Sequence, residues 1–180
     1  DLGGGSLELV YAEDYKITSK EVIDVAQNSS GIVFIEEDKL TVGNNETKLD
    51  KIATTLATEF DSNNVFVGFE DGSIVEYPSG NAFNADIESP VTKIKILNDK
   101  LVAGYGDGSI VIFEADQSTK LEAHEKAITN FYVDDSQIIS LSEDYTVKFW
   151  DIATGKCIYT YFLDIFATSI NLKGDKLVIG

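Results

Sequence analysis

Short runs of apolar and β-branched residues alternate with polar turns along most of this chain, and the pattern is clearest between Ala123 and Phe162. Four such runs predict four strands there, at 127–133, 137–141, 146–150 and 157–162. Aspartate, serine, threonine and glycine occupy the intervening turns, which favours an antiparallel meander. Two of these runs are almost wholly apolar, which predicts strands that are buried on both faces.

One phrase occurs three times in the chain, as Gly68–Val75, Gly104–Val111 and Leu141–Lys148. The aspartates at its centre are Asp71, Asp107 and Asp144. Each aspartate closes one apolar run and opens the next, so each predicts a tight turn between two strands. A unit that recurs roughly every 36 or 37 residues predicts a repeat architecture, and it favours a recognition surface over a catalytic pocket.

Two segments also have features of helices. Apolar residues between Leu49 and Phe60 have helical spacing, and residues 18–21 resemble a capping box ahead of Val22. In the phase of the repeat, however, both segments fall where a first strand belongs. The threonines at 54, 55 and 58 also favour a strand. We therefore predict strands in both segments.

The unit at 123–162 resembles the WD repeat in Ala123-His124, Ser140, Asp144 and Thr146–Asp151. This resemblance implies an all-β fold, a β-propeller of four-stranded antiparallel blades. It also implies a structural tetrad in which the histidine bonds the turn aspartate, and the serine and tryptophan complete the set. The matching residues are His124, Ser140, Asp144 and Trp150, whereas Ala123 replaces the usual glycine.

The other repeats have diverged from this pattern. Ala103 and Phe113 stand at the serine and tryptophan positions of the unit that contains Asp107. Val67 and Tyr77 stand there in the unit of Asp71, and residues 32–38 look like a shortened copy. The sequence therefore predicts one complete tetrad.

The repeat phase divides the chain into a flexible linker at 1–6 and a propeller segment at 7–180. The predicted blades are approximately 22–50, 51–85, 90–121 and 123–162, with half blades at 7–18 and 165–180. Because WD propellers usually have seven blades, the resemblance implies part of a larger ring. Closure of this chain as five blades is the open alternative.

Charge limits the classes of partner. The chain has 31 acidic residues against 14 lysines and a net charge of -17, which disfavours nucleic acid and phosphopeptide ligands and favours basic protein segments. The acidity could instead serve only to prevent association. No apolar stretch is long enough to predict a membrane span. Cys157 is the one cysteine, which favours the cytoplasm or the nucleus.

The sequence offers little catalytic chemistry. One histidine and one cysteine do not make a zinc site or a nucleophile–base pair at recognisable spacing. The glycines of 104–108 precede a predicted strand, so they do not match a dinucleotide loop. We expect no metal, no cofactor and no enzymatic activity. A carboxylate-dependent propeller hydrolase is the alternative of another class, although no pair of acids is singled out.

The resemblance also implies a binding face, since turns between second and third strands and loops leading into first strands commonly contact partners in WD propellers. The candidate partner-binding residues are Phe69, Glu70, Glu88, Tyr105, Glu125, Glu143 and Tyr145, beside Gly106 and Lys126. If exposed, Phe69 and Tyr105 would be aromatic anchors. The alternative is that both pack between blades.

These features predict a scaffold for protein–protein interaction that docks a basic partner segment and belongs to a larger complex. A second possibility is a structural subunit whose open blade is completed by a partner, as in ribosome biogenesis, chromatin or ubiquitin-ligase complexes. Fold alone does not choose between these pathways.

Overall fold

The computed structural model describes residues 7–13, 16–98, 100–115, 117–174 and 176–180, with side chains from residue 21 onward; the linker predicted at 1–6 lies outside these residues. The strands in the described residues are β1 (Leu7–Glu13), β2 (Lys16–Val22), β3 (Asp24–Asn28), β4 (Gly31–Glu36), β5 (Lys39–Val42), β6 (Asn45–Lys48), β7 (Ala53–Thr58), β8 (Val65–Phe69), β9 (Ile74–Tyr77), β10 (Ala82–Phe83), β11 (Val91–Leu97), β12 (Lys100–Tyr105), β13 (Ile110–Glu114), β14 (Gln117–Leu121), β15 (Ile128–Val133), β16 (Gln137–Ser142), β17 (Thr146–Asp151), β18 (Lys156–Phe162), β19 (Ile170–Lys173) and β20 (Lys176–Ile179). The described part of the chain contains no helix of the length and apolarity that a membrane span requires.

Within each sheet of the described part of the chain, consecutive strands pair antiparallel. They form four-stranded sheets from β3–β6, β7–β10, β11–β14 and β15–β18, and two-stranded sheets from β1–β2 and β19–β20. The prediction of an all-β fold with four-stranded antiparallel sheets is confirmed.

The segments with helical features are strands. The segment at 49–60 contains β7, and the segment at 18–25 contains the end of β2 and the start of β3. The predicted boundary near residue 18 was wrong, because β2 continues to Val22, which pairs with Leu7 of β1. Pairing with a neighbouring strand outweighs the helical spacing of the first segment and the capping-box pattern of the second.

The sheets stack face to face through their innermost strands. Strands β3, β7, β11, β15 and β19 contact one another in that order. Apolar clusters fill the spaces between successive sheets; one joins Val33 and Ile35 to Phe69, and another joins Ile110 to Phe131 and Trp150. Because each central sheet has a neighbour on both sides, strands such as β12 and β13 are buried along almost their whole length.

A β-bulge occurs at the same place in three of the innermost strands. The pairing register shifts at Thr54 of β7, Thr92 of β11 and Thr129 of β15. The Thr54 hydroxyl donates to the carbonyl of Val91 at 2.6 Å, and the Thr129 hydroxyl donates to the carbonyl of Ala167 at 2.8 Å. These bonds tie one sheet to the next. Sequence analysis missed them, although a threonine recurs at 54, 92 and 129, which lie 17, 15 and 15 residues before Asp71, Asp107 and Asp144.

Candidate interaction face

The turns between second and third strands lie at one end of the sheets, beside the loops that lead into the first strands. We call this end the turn face; it comprises residues 70–73, 106–109 and 143–145 with the loops at 49–52, 84–90, 122–127 and 163–169. Backbone hydrogen bonds join each turn to the loop of its own sheet. The amides of Glu70, Gly106 and Glu143 donate to carbonyls of Ile52, Pro90 and Ala127 at 2.9–3.0 Å.

Two glycines bring each turn against the loop of the next sheet. Gly72 and Gly108 have φ of +86° and +88°, a conformation that glycine adopts readily. A Cβ atom at Gly72 would lie 1.9 Å from the carbonyl oxygen of Ile87, and one at Gly108 would lie 2.3 Å from that of His124. The His124 amide in turn donates to the Gly108 carbonyl at 2.9 Å. Neighbouring sheets are therefore in backbone contact at the turn face.

The predicted tetrad residues lie together in one hydrogen-bonded chain. His124 Nδ1 is 3.0 Å from Asp144 Oδ2, and its Nε2 is 2.7 Å from Ser140 Oγ. Trp150 Nε1–H donates to the same serine oxygen at 3.0 Å. Since Ser140 Oγ accepts from the indole, its own proton is free to go to Nε2 of His124. The arrangement therefore fits a neutral imidazole that carries its proton on Nδ1.

Electrostatics agree with this protonation state. Burial of His124 lowers its pKa, although the nearby Asp144 carboxylate partly opposes the effect. Burial acting alone would raise the pKa of Asp144, but bonds from the Thr146 hydroxyl and from His124, with the Glu125 amide, bring it below its usual value. The pair is thus held as a neutral imidazole beside a carboxylate.

The turn aspartates also stabilise their own turns. Oδ1 of Asp71 accepts from the amide of Ser73 at 3.0 Å, and Oδ1 of Asp107 accepts from the amide of Ser109 at 2.9 Å. Asp144 does the same with the amide of Thr146 at 2.9 Å. This contact needs no histidine, which explains how the aspartate remains in repeats that have lost the tetrad.

A lysine replaces the histidine in the second sheet. Lys51 precedes Asp71 by the interval that separates His124 from Asp144, and its ammonium lies 2.8 Å from Asp71 Oδ2 and 2.7 Å from Ser73 Oγ. The hydrogen bond from Lys51 is the main cause that lowers the pKa of Asp71 to about 2. Asp107 has a weaker partner, since Lys120 lies 3.9 Å away. Sequence analysis missed Lys51, although its interval to the aspartate was a usable signal.

Two of the candidate partner-binding residues do not reach the surface. Phe69 is 1% exposed and Tyr105 is 0% exposed, so neither is an aromatic anchor for a partner. Both lie at the end of a second strand, where their side chains point into the apolar clusters between sheets. Burial raises the pKa of Tyr105, and its hydroxyl has no hydrogen-bond partner among the described residues.

The remaining candidates are exposed and mostly acidic. Glu70, Glu88, Glu125 and Glu143 are exposed, and so is Tyr145, at 46%. Other exposed acids of the turn face and the adjoining β4–β5 turn are Glu37, Asp38, Asp50, Asp71, Asp86, Asp107, Glu122 and Asp164. Nearby lysines include Lys48, Lys51 and Lys120, which already pair with acids of this end. The local charge of the turn face is therefore strongly negative. Within the described residues, no group of three or more His, Cys, Asp or Glu side chains could hold a metal ion.

Part of the sequence is similar to known WD-repeat proteins. No protein-family model matches the sequence. Mitochondrial division protein 1 of Mycosarcoma maydis is 36% identical over 74 residues, which cover 41% of this chain and 9% of that protein. The WD repeat-containing protein 89 homolog of Dictyostelium discoideum is 33% identical over 95 residues, which cover 50% of this chain and 26% of that protein. The match thus spans a small part of each relative's length.

The fold of the chain is similar to that of a solved β-propeller domain. The WD40 beta propeller domain of Doa1 superposes with a TM-score of 0.72 over 97% of this chain and 68% of that one, at 19% sequence identity. A structural match at this level of sequence identity shows the fold alone. The repeat sequence, the stacked sheets and these similarities agree: the chain is similar to WD-repeat proteins and has the fold of their β-propeller domains.

Proposed function

We propose that this chain is a non-catalytic scaffold for protein–protein interaction, and that its acidic turn face docks a basic segment of a partner within a larger complex. The observation that carries the proposal is the set of exposed carboxylates at Glu70, Glu88, Glu125 and Glu143. The amides of Glu70 and Glu143 donate to carbonyls of the adjoining loops, and the amide of Glu125 donates to the Asp144 carboxylate. A rigid surface of one sign attracts the opposite charge and orients it on encounter.

The comparisons support the general class of this proposal. The relatives include a WD-repeat protein. One structural neighbour is a chain in the crystal structure of the mitotic checkpoint complex, with a TM-score of 0.72 at 15% sequence identity. These similarities favour a recognition module. The basic character of the partner rests on the charge of the turn face.

The experiment measures binding of a fluorescein-labelled peptide of six Gly-Lys pairs by fluorescence anisotropy. The test variant combines Glu88→Gln, Glu125→Gln and Glu143→Gln. The matched control combines Glu59→Gln, Asp61→Asn and Asp135→Asn, which removes the same charge from exposed residues of loops at the opposite end. We expect the affinity of the test variant to fall about tenfold and that of the control to change less than about twofold.

Salt supplies the second measurement. Affinity of the unaltered chain should fall steadily between roughly 50 and 500 mM NaCl, because screening shortens the reach of surface charges. The proposal is wrong if the peptide does not bind, if salt has no effect, or if the two triple variants lose affinity equally.

A further inference from the structure

An exposed aromatic pair lies on the turn face where the sheet β15–β18 meets the sheet β19–β20. The rings of Tyr145 and Phe166 are 6.3 Å apart between centroids and inclined at 68°, an edge-to-face contact. Their side chains are 46% and 42% exposed, and the neighbouring Ile165 is 55% exposed. Tyr145 belongs to the turn at 143–145, and Phe166 belongs to the loop that leads into β19.

The turn itself does not require this tyrosine. Tyr145 has φ of +63°, a left-handed conformation that large side chains adopt at a cost in energy, whereas the corresponding turn positions hold Gly72 and Gly108. The backbone is fixed by two bonds, from the Tyr145 amide to the Ser142 carbonyl at 3.2 Å and from the Leu163 amide to the Tyr145 carbonyl at 2.7 Å. Since glycine suffices for the same turn elsewhere, the ring serves another contact.

The charges around the pair indicate the nature of that contact. Exposed carboxylates of Glu125, Glu143 and Asp164 lie on the same turn and loops, and they make no hydrogen bond or ion pair with another described residue. Lys126, which is exposed on the loop at 122–127, is a nearby cation, and its backbone carbonyl accepts from the Ser142 hydroxyl at 3.0 Å. An aromatic surface bordered by unpaired acids suits a cationic side chain that also has a flat face.

We propose that the Tyr145–Phe166 pair binds an arginine side chain of the partner, with the guanidinium against the exposed rings and the neighbouring carboxylates neutralising its charge. This inference rests on the proposed function and specifies the residue that the basic segment presents. A second copy of the chain is disfavoured as the occupant, because the sequence contains no arginine and a net charge of -17 would make two turn faces repel.

The experiment compares two fluorescein-labelled peptides, six Gly-Arg pairs and six Gly-Lys pairs, on the unaltered chain and on variants. The test variant combines Tyr145→Gly and Phe166→Ala. Phe60→Ala is the control, because Phe60 is 64% exposed in the loop after β7, at the opposite end. We expect the unaltered chain to prefer arginine, and the test variant to lose at least about fivefold in arginine affinity and most of that preference. The control should bind like the unaltered chain.

Folding is checked separately by urea denaturation. Glycine at 145 reproduces the residue at the two related turns, so the fold should persist. A second variant, Phe166→Leu, keeps apolar bulk and removes the aromatic face; it should lower the preference for arginine without a loss of stability.

Three results would overturn the inference. If the pair is deleted and salt-sensitive binding continues with an unchanged preference for arginine, the anchor is wrong and the proposed function stands. If neither basic peptide binds the unaltered chain, both proposals fail. If a neutral peptide of six Gly-Tyr pairs binds as tightly as the arginine peptide, the occupant is apolar and the inference is wrong.

Discussion

The turn aspartates Asp71 and Asp144 each make two separate kinds of hydrogen bond, one within the turn itself and one with the preceding loop. The aspartate accepts a hydrogen bond from the amide two residues later, which forms the turn, and a cation or imidazole from the preceding loop then bonds its second oxygen. His124 supplies that contact to Asp144, and Lys51 supplies it to Asp71. For the first bond the aspartate needs only a backbone amide as its partner, so that bond persists when the residue in the preceding loop changes. The second bond requires a particular side chain in that loop.

The pH dependence of stability should reveal the protonation state of His124. Burial lowers its pKa in the folded chain, so the unfolded chain binds the proton more readily. The contribution of a neutral His124 is fully present above the unfolded pKa of about 6.5 and is lost as pH falls from there toward the lower folded pKa. We expect the difference in urea midpoint between the unaltered chain and His124→Gln to narrow from pH 7.5 to pH 5.5.

The chain has one histidine, so no other imidazole contributes to this difference. A difference that widens as the pH falls would show that Asp144 stabilises a charged imidazole, and it would contradict the assignment of the proton to Nδ1 alone.

Two aromatic substitutions should differ in their effect on stability. Trp150→Phe removes the indole donor to Ser140 Oγ, and we expect it to lower the free energy of unfolding by about 1–2 kcal/mol.

Tyr105→Phe removes a buried hydroxyl that has no hydrogen-bond partner among the described residues. Phe69 stands at the same position in the preceding repeat, so the substitution should be neutral or raise the free energy of unfolding by up to about 1 kcal/mol. Urea denaturation measures both. A large loss in Tyr105→Phe would show that its hydroxyl has a partner.

At the scale of the strand and the turn, position within a sheet decides which residues are tolerated. The innermost strands carry the threonine bulges that bond to the next sheet, as at Thr54 and Thr129. The outermost strands β6 and β14 are polar, whereas β18 exposes Ile158, Tyr159 and Tyr161. Edge strands are usually protected by charge or short length, and β18 has neither form of protection apart from Lys156 at its start.

Crowding at the turn glycines should be measurable by a matched pair of substitutions. Gly72 and Gly80 both have positive φ, +86° and +79°, so alanine is strained at either position. At Gly72 the added Cβ would also meet the Ile87 carbonyl at 1.9 Å, whereas nothing lies within 4 Å at Gly80. We expect Gly80→Ala to cost about 1 kcal/mol and Gly72→Ala at least about 2 kcal/mol more. Equal losses in urea denaturation would mean that the turn and the next loop separate easily.

At the scale of the whole molecule, apolar and charged residues occupy different regions. The apolar residues lie between the stacked sheets, and the charged residues lie mostly on the outside. The apolar clusters lie between sheets, so the strands that form them are buried on both faces and contribute little to the outside. The outside is left to turns, loops and outer strands, where most of the described acidic residues are found; Asp24 of β3 and Glu76 of β9 are exceptions. A net charge of -17 therefore concentrates on the loops and turns, and the turn face carries much of it.

The periodic aspartates were sufficient to predict the repeat, because a turn between two strands is a local structure that Asp71, Asp107 and Asp144 form within a few residues. The strand at 53–58 was also predictable, although only through the repeat phase, since its own spacing suggested a helix. His124, Ser140 and Trp150 were placed together by family resemblance. The pairing of β16 with β17 brings Ser140 near Trp150, whereas His124 lies in the loop before β15, where its amide donates to the Gly108 carbonyl.

Exposure was decided by tertiary structure. Phe69 and Tyr105 stand next to turn residues in the sequence, yet they point between sheets, whereas Tyr145 lies one position past its turn aspartate and points outward. The pattern along one strand says which residues share a face, but which faces a neighbouring sheet covers depends on how the sheets stack. The sequence by itself determined the repeating sheets and the sign of their charge, through local turns and composition. Only the stacked structure decided which side chains remain on the surface, because that depends on contacts between residues one repeat apart.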